Sequence, residues 1–193
     1  MDPVISWKVA TMIPSQADCL RLMDHYRMPA HIRAHSLLVA RVAECLAQGL
    51  ADQGEPVRVD LAVAGALLHD IAKALCFDGD CSHAELGAEI CREHGYEELA
   101  PLVAEHVHLH DGFNGRCGER EIVFYADKRV NHDRLVSLEE RRDDVIRRYA
   151  PRDPARQELI RQNFALCRRL ENNLFARLPM APEELADCLV VEQ

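Results

Sequence analysis

The residues best placed for chemistry close one apolar run, Leu61-Ala-Val-Ala-Gly-Ala-Leu-Leu-His69-Asp70-Ile-Ala-Lys73. A segment this hydrophobic reads as a buried helix, yet it ends in three ionisable side chains. Charged groups inside a core are costly unless they are paired or bound to a metal. Neighbouring His and Asp residues on a helix point about 100° apart, so both can reach one ion set beside it. The plain alternative is a His–Asp pair that only caps or bridges helices.

Ten histidines are a high count, and their placement says more than their number. His35 lies in an amphipathic stretch, His83 opens a helical one, His106 follows Leu102-Val-Ala104, and Asp127 follows Ile122-Val-Phe-Tyr-Ala126. A lone histidine beside an apolar face is more often a satisfied core residue than a ligand. Several such placements, two carboxylates among them, favour a shared metal centre. Imidazole and carboxylate donors suit iron, manganese or zinc, and carboxylates also admit magnesium. Two ions sharing Asp70 fit four histidines and two aspartates, and bridged pairs favour phosphoester hydrolysis.

The elements that must position these groups read as helices. Ser15 caps a short helix to about Tyr26, and Pro29 opens a long one to about Ala51. Asp60 opens a helix ending near Leu75, and Ser82 with Glu85 forms a capping box for His83 to about His94. Further helices are predicted from about Glu97 to His110, from Glu119 to about Arg134, from Leu138 to Tyr149 behind Ser137, and over about 155–178. A last short helix follows Pro179 and Pro182, while residues 1–14, with Pro3 and Trp7, form an irregular lead-in. The charge run at 138–148 reads as a mostly solvated face, with an interface or a lid as the alternatives. No stretch alternates as a strand bounded by hairpin turns, so the expected fold is all-α.

Composition narrows the function. With 193 residues and 48% hydrophobic content, one domain with an extension is expected. A net charge of −9 argues against a general nucleic-acid binder but leaves room for a small phosphorylated substrate held by local cations. No signal-peptide layout and no apolar run of membrane-spanning length are present, which predicts a cytoplasmic protein without a membrane partner. The eight cysteines are then expected to be reduced, with Cys45 and Cys167 as small core residues. Cys76 and Cys81, flanking an acidic loop, are a minor candidate for a soft metal.

The first histidine stretch, Pro29-Ala-His-Ile-Arg-Ala-His35, and four motifs after it then carry a resemblance: Leu67-Leu-His69-Asp70-Ile-Ala-Lys73, His83-Ala-Glu-Leu-Gly87, Val103-Ala-Glu-His106 and Tyr125-Ala-Asp127-Lys128. In this order they resemble the HD-domain metal-dependent phosphohydrolase superfamily, and more closely its HDIG-type members. The resemblance covers about residues 29–135, with 1–28 expected as an N-terminal extension packing on the domain and 136–193 as a C-terminal helical extension. It implies a single helical bundle and a metal set of His35, His69, Asp70 and Asp127, to which dinuclear members add His83 and His106. Asp70 would be the bridge. A one-register slip would exchange His106 for His108 or His110.

The implied activity is metal-dependent hydrolysis of a phosphoester or phosphoanhydride of a nucleotide by an activated water. The implied cofactor is a divalent transition metal, in two copies, iron or manganese first and magnesium, zinc, cobalt or nickel as alternatives. With Asp70, Lys73 is the candidate catalytic residue, pairing with a phosphate oxygen as charge develops; a solvated helix-end lysine is its alternative. Lys128, Arg129, His132 and Arg134 follow as weaker candidates, and His31 as a neighbour of His35. Lys73 stands where the nucleoside-monophosphate branch usually carries an acid, which tilts the likeness toward the dinuclear branch of bacterial diadenosine tetraphosphate hydrolases. Lys128-Arg-Val-Asn-His-Asp-Arg134 departs from that branch. The Gly-Tyr-Pro signature of cyclic-di-GMP phosphodiesterases is absent, and the chain is too short for the extra domains of alarmone hydrolases. A di-iron oxygenase on the same ligands and a non-catalytic regulatory domain are the other readings.

Overall fold

A computed structural model describes residues 12–77, 79 and 81–189. Helices α1 (Gln16–His25), α2 (Ala30–Asp52) and α3 (Val59–Leu68) come first, followed by a 3-10 turn, Lys73–Cys76. Then come α4 (His83–Glu93), α5 (Ala100–Ala104) and α6 (Glu119–Lys128), a ribbon of β1 (Val130–Asn131) and β2 (Arg134–Leu135), α7 (Leu138–Tyr149) and α8 (Pro154–Phe175). A second 3-10 turn, Pro182–Glu184, leads into α9 (Leu185–Leu189). The lead-in around Pro3 and Trp7 lies outside the described residues. The fold is all-α, and among the described residues no helix is long and apolar enough to cross a membrane.

Helix α3 is the hub. Leu61 to Leu68 are all buried, so it lacks a polar face and needs partners all round. It packs against α2, α6, α1 and α5. Two glycines set the approach of its neighbours. A Cβ on Gly65 would stand 2.6 Å from Leu102 Cδ2, so α5 crosses where α3 has no side chain. A Cβ on Gly87 would stand 2.8 Å from Val103 Cγ1, which lets α4 and α5 close together.

Local capping behaves as the residue types dictate. Ser15 and Ser137 complete capping boxes with Asp18 and Glu140, and Ser82 accepts from the Glu85 N–H. Three helices stop earlier than their apolar patterns suggest. Helix α3 ends at Leu68 rather than near Leu75, and His69 explains it: its imidazole Nδ1 donates to the Ala66 carbonyl at 2.7 Å. That carbonyl is the α-helical acceptor for the Asp70 N–H, so side chain and backbone compete for it. The chain continues in tighter i→i+3 turns, with Ile71 N to Leu68 O and Lys73 N to Asp70 O both at 3.0 Å. The same device ends α5 at Ala104, well short of His110, because His106 Nδ1 donates to the Val103 carbonyl at 2.6 Å. Helix α6 stops at Lys128 instead of near Arg134. There the chain reverses through His132, whose left-handed φ of 57° lets Val130 pair with Leu135 and Asn131 with Arg134.

The cysteines depart from the expected reduced set. Cys45 is disulfide-bonded to Cys188, joining α2 to α9, so it is not a small core thiol. Cys76 and Cys81 form a second disulfide that closes the loop before α4, which removes them as metal ligands. Pairing depends on distances that sequence spacing does not encode. Cys19, Cys91, Cys117 and Cys167 are free and buried.

The C-terminal helices are tied to α6 by a buried polar knot. The Tyr125 hydroxyl donates to Glu171 Oε2 at 2.5 Å, and Arg129 pairs with the same carboxylate at 3.3 Å. Arg129 Nε also donates to the Val136 carbonyl at 2.8 Å. Helix α8 is thereby fixed against the helix that carries Asp127.

Candidate metal centre

The six histidine and aspartate candidates converge from five segments of the chain. His35 comes from α2, His69 and Asp70 from the turn after α3, and His83 from the start of α4. His106 follows α5, and Asp127 stands near the end of α6. Two groups form with donor atoms within 4.8 Å of one another: His35, His69 and Asp70; and Asp70, His83 and His106. Asp70 belongs to both. Its Oδ1 lies 3.4 Å from His83 Nε2 and 3.5 Å from His106 Nε2, while Oδ2 lies 3.4 Å from His69 Nε2. Asp127 borders the first group, with Oδ1 3.1 Å from His35 Nε2 and 3.8 Å from His69 Nε2.

The outer nitrogens show how these rings are aimed. His69 Nδ1 and His106 Nδ1 are committed to the carbonyls that end their helices. His35 Nδ1 lies 3.0 Å from the His132 carbonyl, at the tip of the β1–β2 turn. Each neutral ring that donates through Nδ1 keeps a lone pair on Nε2, the arrangement that metal-ligating histidines require. His83 Nε2 and His106 Nε2 approach to 3.2 Å. Two lone pairs at that distance repel unless a proton or a cation lies between them. His69 Nε2 and Asp70 Oδ1 are buried and without a hydrogen-bond partner. Buried polar atoms are rarely left unpaired, and at this site the unpaired ones are acceptor atoms with lone pairs, so the site fits a cation.

The electrostatics agree. Burial alone would raise the Asp70 carboxyl, but the imidazoles of His69, His106 and His83 hold it well below the usual carboxylate range. Asp127 is held low in the same way, its burial outweighed by Lys128, His35 and Arg141. Burial pushes His106 down to about 4, which keeps this ring neutral and able to ligate. His69 moves the other way: burial would lower it, but Asp70 raises it, so in the metal-free protein a proton competes for this ring.

Lys73 is bound into the centre. Its Nζ donates to Asp70 Oδ2 at 2.7 Å, so it is not a freely solvated helix-end lysine. Lys128 donates to Asp127 Oδ2 at 3.1 Å and to the His106 carbonyl, while its ammonium sits 4.2 Å from the centre of the Phe124 ring. Arg129 belongs to the Glu171 knot instead. The structure brings His106, not its neighbours, to Asp70: His108 only lines the cleft, and His110 is largely exposed near Glu105. The His132 side chain faces away, with Nε2 2.7 Å from Arg148.

A cleft of about 530 Å³ opens over the centre. Its floor includes Asp70, His83, His106 and Asp127, and its far wall comes from α7 and α8. Reading α7 only as a solvated face therefore needs correction. Arg141, Val145 and Tyr149 recur every fourth residue on one face of it, and that face lines the cleft. Arg141 lies 3.8 Å from Asp127 Oδ1 and 3.3 Å from Asn131 Oδ1. The spacing was readable, but the surrounding charges hid it.

A helical bundle that gathers histidines and aspartates around one buried carboxylate is a metal-binding domain in its architecture. A family model for the HD domain matches residues 32–141, and the chain belongs to that family. Domains of this family are in general metal-dependent phosphohydrolases that bind divalent ions. An uncharacterized protein of Methanocaldococcus jannaschii is 31% identical over 133 residues, covering 61% of this chain and 75% of that protein. A ribonuclease Y of Sulfurovum sp. is 40% identical over 105 residues, 52% of this chain and 19% of the relative. A ribonuclease Y of Wolinella succinogenes is 42% identical over 121 residues, 54% of this chain and 22% of the relative. The chain thus spans about a fifth of the length of these two ribonucleases Y. No solved structure matches significantly.

Proposed function

We propose that the chain is a metal-dependent phosphohydrolase cleaving a phosphoester or phosphoanhydride of a small nucleotide, with two divalent ions held by the triads that share Asp70. One observation carries the reading: Asp70 joins both triads, and His69 Nε2 and Asp70 Oδ1 are buried and unpartnered at their junction. Ions bound there would supply Lewis-acid polarisation of a phosphoryl oxygen and acidification of a water. His35, His69 and Asp70 would hold one, bordered by Asp127, and Asp70, His83 and His106 the other.

The remaining work falls to this chain's cations. Lys73 and Arg141 line the cleft from two separate segments and are placed to hold charge developing on phosphoryl oxygens. Lys128 fixes Asp127 and the backbone of His106, keeping both sides of the centre in register. The His132 carbonyl orients His35.

The test is cleavage of bis(p-nitrophenyl) phosphate and of a nucleotide panel with manganese or iron, with and without chelator. Turnover that needs the ion and vanishes in a folded Asp70→Asn variant supports the reading. Iron-dependent oxygen consumption with no phosphoester cleaved would replace it by an oxygenase. A second reading, cleavage of RNA, draws on the ribonuclease Y relatives and on local charge, since residues 141–169 carry nine arginines against four carboxylates. An end-labelled oligoribonucleotide in the same assay separates polymer from mononucleotide substrates.

A further inference from the structure

Six large hydrophobic side chains are exposed among the described residues, and three of them, Phe77, Tyr149 and Leu159, line the cleft above the candidate metal centre. Single exposed apolar residues are ordinary. Three around one cavity whose floor is charged mark a surface that awaits a ligand. Phe77 is 62% exposed, Tyr149 51% and Leu159 63%, so none contributes much to the core. They come from separate segments: Phe77 from the loop bracketed by the Cys76–Cys81 disulfide, Tyr149 from the end of α7 and Leu159 from α8. Tyr149 and Lys73 line the same cleft.

Arg156 lines the same cleft. Lys73, Lys128 and Arg141 each have an aspartate partner at the centre, whereas Arg156 makes no ion pair among the described residues. It also stands in the first turn of α8, behind the N-cap Asp153, where a cation opposes the helix dipole. An exposed basic residue that lines this cleft without an ion pair has no structural use that the fold shows. A cavity of about 530 Å³ suits a ligand the size of a mononucleotide.

We propose that α7 and α8 form the substrate-reading wall of the cleft, where Tyr149, Leu159 and Phe77 hold a planar heteroaromatic ring and Arg156 holds a phosphate of the same ligand. This rests on the reading of the site as a nucleotide phosphohydrolase and adds which residues recognise the part of the substrate that does not react. Tyr149, Arg156 and Leu159 all lie beyond residue 141, where the family match ends. Phe77 comes from the matched core, so the selectivity rests mainly on this chain's C-terminal helices.

The experiment is isothermal titration of the full, manganese-loaded chain with phosphonate analogues of the four common nucleoside 5′-monophosphates and of ribose 5-phosphate. In these a methylene replaces the ester oxygen, so nothing is cleaved during the titration. Base–aromatic stacking is worth about 1–3 kcal/mol, so at least one base-bearing analogue should bind roughly tenfold tighter than the baseless one. Tyr149→Ala and Leu159→Ser should each reduce that ratio several-fold, and Arg156→Gln should weaken base-bearing and baseless analogues alike. These side chains are exposed, so the variants should fold, which their melting curves would verify. Equal binding of base-bearing and baseless analogues overturns the proposal, as does no binding of either, or a ratio untouched by Tyr149→Ala. Hydrolysis of bis(p-nitrophenyl) phosphate and of the nucleotide panel, measured on the same preparation, reports on the hydrolase reading separately. Cleavage without base preference sinks the wall alone, and base preference without cleavage sinks the hydrolase reading and leaves the wall standing.

Discussion

Replacing Asp70 by Asn keeps the size of the side chain and removes the charge on which both triads converge. The consequence can be worked out from the sharing. An ion present at a hundred times its Kd stabilises the protein that binds it by about 2.7 kcal/mol per site. A chain of this length moves its melting temperature by about 2–4 °C for each kcal/mol. Two filled sites therefore raise Tm by roughly 10–20 °C, and one by roughly 5–10 °C. His106→Gln disables only the triad of Asp70, His83 and His106, so it should keep about half of the rise. Asp70→Asn should abolish it. Differential scanning calorimetry with manganese and with chelator gives the rise within each variant, so any effect on the metal-free fold cancels. A full rise in Asp70→Asn would refute the bridging role, and complete loss in His106→Gln would reduce the centre to one site.

Three further outcomes follow from the same structure. In the metal-free protein, His106 is held near 4 by burial against an ordinary 6.5, so below pH 6.5 the unfolded chain takes up a proton that the folded one refuses. Stability should therefore fall as pH drops from about 6.5 to about 4, by roughly 3 kcal/mol, and urea titrations of His106→Gln should show a flatter slope over that window. Gly65→Val places branched methyls where even a Cβ meets Leu102 at 2.6 Å, and chemical denaturation should register a loss of about 3 kcal/mol. Burial pushes the Cys19, Cys91 and Cys167 thiols up to about 12 and Cys117 to about 11, so native protein should resist iodoacetamide. Mass spectrometry should count four alkylated cysteines after unfolding without reductant and eight with it.

The legible part of this protein is the part governed by local rules. Ser15, Ser82 and Ser137 announce three helix starts because a capping side chain bonds within its own turn. The all-round apolar stretch from Leu61 to Leu68 announces a central helix because it has no polar face to show to water. The six candidate ligands stand out because each pairs a metal-ligating side chain with an inward face, and their order matches a known family pattern. What was not legible depends on where side chains go in three dimensions. The early ends of α3 and α5 follow from His69 and His106 turning back onto the Ala66 and Val103 carbonyls. The β1–β2 turn follows from an αL residue, His132, that needs neither glycine nor strand alternation to announce it. The Cys45–Cys188 bridge spans 143 residues of sequence and is invisible to spacing. Arg141, Val145 and Tyr149 share a face that sequence alone assigned mostly to solvent, because only the three-dimensional packing brings α7 and α8 over the centre.

In the proposed centre, Asp70 stands between two metal sites. Diffraction from crystals grown with manganese, recorded on both sides of the manganese absorption edge, tests it most directly. Two anomalous peaks per chain are expected, one within the triad of His35, His69 and Asp70 and one within the triad of Asp70, His83 and His106. A peak that avoids Asp70, or no peak from protein saturated with manganese, would contradict it.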